Sequence, residues 1–121
     1  AQEQKLNSFV DYDYEKVIFW ENQIIVNEKY LDNWKNANEN ELYNKKDVEK
    51  LLKNINAKID IANDLWDGIT NQKITFNQEI VLQEEYFEIS RNTSELSIKL
   101  NSDAFKKCKD NEYENCEVFN N

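Results

Sequence analysis

The stretch VEKLLKNINAKIDIANDLWDGI, residues 48–69, decides the fold. Within it Val48, Ile55, Ala62 and Ile69 recur every seven residues, and Leu52, Ile59 and Trp66 repeat that interval from an offset of four. Such a double series is the seam of a packed amphipathic helix. Leu51 and Leu65 widen the seam on one side, while Glu49, Lys50, Lys53, Asn54, Asn56, Asp60, Asn63, Asp64 and Asp67 occupy the opposite face, where Ile61 is the one apolar intruder. A helix over about residues 45–70 with a single buried face is predicted. Gly68 lies in its last turn, placed to supply a left-handed terminating residue.

Working outward, Val10, Val17, Ile24 and Leu31 form another seven-residue series flanked by Leu6, Trp20 and Trp34, which predicts a helix over about residues 3–37. The polar run from Asn36 to Glu41 makes the first turn. Thr70-Asn71-Gln72-Lys73 makes the second, and Thr75 followed by Gln78 has the spacing of a capping box. A third helix is then predicted over about residues 75–107, with Leu82, Ile89 and Leu96 on one series and Tyr86, Thr93 and Leu100 on the other; Asn101-Ser102-Asp103 is a place for it to break early. The chain has one Gly and no Pro, too few turn residues for a sandwich or barrel. Short links between long helices favour antiparallel neighbours. The expected fold is all-α: one domain over residues 1–121, an antiparallel up-down-up bundle of three long helices with a short C-terminal tail at 108–121.

Cys108 and Cys116 are expected to form a disulfide that ties the tail back, which implies an oxidising compartment. Eight residues of continuous helix rise about 12 Å, beyond the roughly 7 Å that bridged Cα atoms tolerate, so helix must stop between them. The chain starts at Ala1 and holds no Met, as after removal of a signal peptide, so a secreted, periplasmic or cell-surface location is expected. Fifteen Lys and Arg against 24 Asp and Glu give a net charge of −9, which disfavours nucleic acid and anionic lipid surfaces as partners. No apolar run approaches the roughly 20 residues of a membrane span, so no membrane insertion is expected.

Two helices carry more apolar surface than a three-helix bundle can hide. At 100° per residue, Tyr12, Phe19, Val26 and Tyr30 collect roughly opposite the core stripe of the first helix. Phe76, Ile80, Phe87, Ile98 and Phe105 do the same on the third. A helix that is apolar on opposed faces must be covered on both. Three covers are possible: the tail, through Tyr113, Val118 and Phe119; a second copy, giving a homodimer; or a different protein anchored on the aromatic residues.

The chain has no His, so the usual general base at neutral pH and the Glu-x-x-His metal motifs are missing. Asp11, Asp13 and Glu15 offer calcium-type ligands but lack the Gly and terminal Glu of a calcium loop and fall inside the predicted first helix; Glu84, Glu85 and Glu88 read as a solvated face. No catalysis, cofactor or metal is expected. Asn92-Thr93-Ser94 is a glycosylation sequon placed mid-helix. The leading expectation is an exported, non-catalytic protein-binding module, an immunity protein, inhibitor or surface recognition protein, whose acidic, aromatic-bearing surface suits a basic partner. The alternative is a structural or assembly protein that self-associates through the spare stripes.

Overall fold

The computed structural model describes residues 6–120, in which three long helices run up, down and up. They are α1 (Tyr14–Ala37), α2 (Lys45–Thr70) and α3 (Phe76–Asp110), followed by a 3-10 turn at Cys116–Phe119. The helix over 45–70 falls where the seven-residue series places it. Its start is fixed by Asn44, whose side chain accepts from the Asp47 N–H at 3.1 Å. The capping box also forms, with Gln78 N–H donating to Thr75 Oγ1 at 3.1 Å and Thr75 N–H donating to Gln78 Oε1 at 2.8 Å.

The helix expected over about residues 3–37 is interrupted: residues 6–7 are helical, residues 8–13 are not. Residues 3–5 lie outside the described residues, and α1 starts only at Tyr14, because Asp13 is in an extended conformation and its Oδ1 accepts from the N–H groups of Glu15 and Lys16. Ahead of it the chain runs beside the start of α3: Val10 N–H donates to the Ile74 carbonyl at 2.9 Å, and Phe76 N–H donates to the Ser8 carbonyl at 3.0 Å. These bonds replace helical ones. Val10 still enters the core, from an extended segment, so its place in the Val17 series says only that it is buried. Asp13, weighed above as a ligand type, is a helix cap.

Three further expectations change. Gly68 does not end α2; the left-handed residue is Gln72, at φ 50°. Gly68 serves close packing instead, since a Cβ there would lie 2.5 Å from Ile74 Cγ2 as the chain doubles back. Ile61 is not on a solvent face: it is 7% exposed among Val17, Trp20 and Leu65. The cause is that α2 lies between its two neighbours and buries a wider arc than one seam, with Val48, Leu51, Ile55, Ala62, Leu65 and Ile69 all fully covered. Lastly, α3 passes through 101–103 without a break and ends at Asp110, where Asn111 donates from its side chain to the Lys107 carbonyl. Asn101 is held in the helix by the Tyr43 hydroxyl, which donates to its Oδ1 at 2.7 Å.

The Cys108–Cys116 disulfide is present, with Cα atoms 5.7 Å apart, and the helix stops between the two as the geometry requires. Cys108 belongs to the last turn of α3, so the tail proper starts at residue 111 rather than 108. The bridge directs Phe119 onto the Tyr43 ring at 5.4 Å, inside a small cluster with Ala104, Leu42 and Phe105. The tail therefore clamps the α1–α2 turn to the end of α3. Tyr113 and Val118 are largely exposed.

Two larger clusters fill the bundle. One joins Val10, Val17, Trp20, Ile61, Leu65, Ile69 and Tyr86, the other Leu31, Trp34, Val48, Leu51, Ile55 and Leu100. Among the described residues no Cα of α1 comes within 8 Å of one of α3. Those two helices meet only through long side chains, and an open groove lies between them.

Candidate protein-binding groove

The groove is bridged by aromatic rings. The Trp20 ring of α1 meets the Tyr86 ring of α3 edge to face at 5.0 Å, and Phe19 and Phe87 stand on the outer side of this pair, 4.8 Å from Trp20 and 5.4 Å from Tyr86 respectively. Trp20 and Tyr86 are buried, but Phe19 is 43% and Phe87 53% exposed. Together they line a recess of about 390 Å³ with Asp13, Glu15, Lys16 and Gln83. Lys16 is engaged across it, donating to the buried carboxylate of Glu79 at 3.1 Å. Among the described residues no lysine pairs with Asp13 or Glu15.

Further along α1 and α3 lies a second recess of about 460 Å³, lined by Val26, Asn27, Lys29, Tyr30, Asn33, Lys58, Thr93 and Ser94. Its walls contain two lysines and no acid, in a chain of net charge −9. Asn27 and Thr93 are almost fully buried. Asn27 donates from Nδ2 to the Tyr86 hydroxyl at 2.9 Å, that hydroxyl donates to Gln23 Oε1 at 3.0 Å, and Thr93 Oγ1 bonds the Ile89 carbonyl at 2.6 Å. The Lys58 ammonium sits 5.4 Å from the centre of the Tyr86 ring and has no carboxylate partner among the described residues. Burial lowers its pKa from the ordinary lysine value, and burial raises that of the Tyr86 hydroxyl, against the pull of the Asn27 bond.

The stripes read from the sequence thus converge on one groove. Phe19 and Phe87 both line the first recess, and Val26 and Tyr30 line the second. Others do not join them. Tyr12 is on the extended segment, and Ile80 and Ile98 are exposed on α3 but line neither recess. Phe76 packs at the edge of the first core cluster, and Phe105 is half-buried against the tail under Lys109. The tail therefore covers only the far end of one stripe.

Sequence reasoning missed the polar floor, although a signal for it exists. Trp20, Asn27 and Trp34 are seven apart on α1, Leu51, Lys58 and Leu65 on α2, and Tyr86, Thr93 and Leu100 on α3. In each series the flanking residues are buried and the middle one is polar, so the helices contribute one polar residue apiece to a layer between the two large clusters. Elsewhere, Lys99 pairs with Asp47 between α2 and α3, and Lys73 with Asp67 at the α2–α3 turn, which holds the Asp67 carboxyl below the usual range. Glu84, Glu85 and Glu88 are exposed. Among the described residues no three His, Cys, Asp or Glu side chains group as a metal site, and no helix is long and apolar enough to cross a membrane. No protein-family model, curated protein or solved structure matches this chain.

Proposed function

We propose that this chain is an exported, non-catalytic binding module that holds another protein in the α1–α3 groove. The observation that carries the reading is the exposure of Phe19, Val26 and Phe87 on the walls of one groove, beside a buried Trp20–Tyr86 pair. Aromatic anchors next to a rigid buried scaffold are what protein interfaces concentrate their energy on. The net charge of −9 favours a basic partner, a secreted enzyme or toxin being the kind an inhibitor or immunity protein would meet. The disulfide supports export, since such bonds persist in oxidising compartments. The absence of His from the sequence supports a role without general acid–base chemistry.

Self-association competes for the same residues. It is disfavoured on two grounds: each copy carries −9, and two concave faces set against each other meet at their rims and leave both grooves unfilled. The test is affinity capture from the source cells' exported fraction with wild type, Phe19→Asp and Phe87→Asp, each first shown to be folded by circular dichroism. The reading expects monomers by light scattering and a protein retained by wild type alone. Equal capture by all three, or a wild-type dimer that either substitution splits, overturns it.

A further inference from the structure

The groove has two unlike ends. At the start of α1 its walls carry Asp13 and Glu15 beside Lys16, which is committed to Glu79, and further along they carry Lys29 and Lys58 with no acid. Glu15 and Lys29 are 14 positions apart on α1, so the charged ends are separated by about 21 Å of helix, roughly four turns. Between them the exposed apolar residues are Phe19, Val26 and Phe87, set above a floor that carries Gln23, Asn27 and the Tyr86 hydroxyl. Exposed apolar side chains spread between opposite charges about four turns apart describe the complement of one amphipathic helix.

We propose that the partner fills the groove with a single amphipathic helix running antiparallel to α1 and α3, its acidic first turn over Lys29 and Lys58 and its basic last turn over Asp13 and Glu15. This rests on the groove being a protein-binding face and adds the element bound, its direction and its charges. α1 and α3 run parallel, so their dipoles add, and a fourth helix is favoured antiparallel to both, which also completes an up-down-up-down bundle. Natural helices place Asp and Glu in the first turn and Lys and Arg in the last. That order matches the groove in the antiparallel direction and opposes it in the parallel one. The guest's own N-terminal dipole points at the lysines, but it amounts to about half a charge, so two first-turn carboxylates outweigh it. Lys58 is the most exacting contact: a half-buried ammonium with no carboxylate partner among the described residues gains most from one delivered by a guest that closes the recess to water.

The test uses two synthetic amphipathic peptides about five turns long and of identical composition, one with Glu in the first turn and Lys in the last, the other with these exchanged. Binding to the whole folded chain is read by fluorescence anisotropy. The acid-first peptide is expected to bind at least about tenfold more tightly than its counterpart, and to lose that affinity with Phe87→Asp. Lys58→Met, which keeps the packing volume, is expected to weaken the acid-first peptide about tenfold and leave the other unchanged. Equal binding of the two peptides, tighter binding of the acid-last one, no effect of Lys58→Met, or no binding by either overturns the inference. If neither peptide binds while Phe19→Asp and Phe87→Asp still lose the captured protein, the helix is refuted and the protein-binding reading stands. If those variants also retain that protein, both fail.

Discussion

Lys58 is a residue whose position the fold alone does not call for. It occupies the place between Leu51 and Leu65 where an apolar side chain would pack, and burial lowers its pKa. Lys58→Met is therefore expected to stabilise the isolated chain by about 1 kcal/mol in chemical denaturation while weakening binding, the trade seen where a site is kept at the expense of packing. The sign with pH follows from the same shift. Between the lowered folded value and the ordinary 10.5 the unfolded chain binds more protons at this site, so its contribution to stability rises with pH through that window. The Tyr86 hydroxyl works the other way: its folded value lies above 10.0, so the folded chain keeps its proton longer and stability falls as pH passes through that range. Alkaline titration of wild type and Lys58→Met separates the two, because only the rising component disappears from the variant. Gly68 gives an independent check on packing. Alanine there gains helix propensity but drives a Cβ against Ile74 Cγ2, and overpacking of this kind costs about 1–3 kcal/mol against roughly 1 gained. Gly68→Ala is expected to lower the melting temperature of wild type, and to raise that of the Ile74→Ala variant, where the clash is gone.

Among the elements, what could be read from the sequence and what could not divide along the range of the interactions involved. The limits of α2, the Thr75–Gln78 capping box and the need for helix to stop between Cys108 and Cys116 depend on residues close in sequence, and each is found where local spacing puts it. The start of α1 depends on backbone bonds from residues 8–10 to residues 74–76, a pairing across more than sixty positions that no local pattern reveals. Ile61 shows the same limit: its burial follows from α1 packing on that side of α2. The groove was half legible. Both apolar stripes could be read from angular position, but that they flank the same groove required the parallel placement of α1 and α3, and the polar layer of Asn27, Lys58 and Thr93 was visible only as breaks in three apolar series. Asp13→Ala removes the cap that sets the start of α1 and is expected to cost about 1 kcal/mol of stability, measured by urea denaturation, with faster amide exchange confined to the first turn of α1.

Across the whole molecule, α2 holds two helices that meet each other only through side chains, and the termini of the described chain brace the ends. The segment at residues 8–10 ties α1 to the start of α3, and the disulfide-directed tail ties the α1–α2 turn to its finish. An open groove between two braced walls is preorganised, so little ordering cost falls on binding. Reduction of the bridge, or Cys108→Ser with Cys116→Ser, is expected to cost roughly 2–3 kcal/mol and to loosen the contact of Phe119 with Tyr43 while leaving the Trp20–Tyr86 end of the groove in place. The central claim, that the face between α1 and α3 is the one a partner covers, is tested most directly by side-chain footprinting of the protein alone and with its captured partner. Phe19, Val26 and Phe87 should become protected while Ile18 and Ile25, exposed on α1 but outside both recesses, keep their reactivity. Protection of Ile18 and Ile25 with Phe19 and Phe87 unchanged would contradict the account.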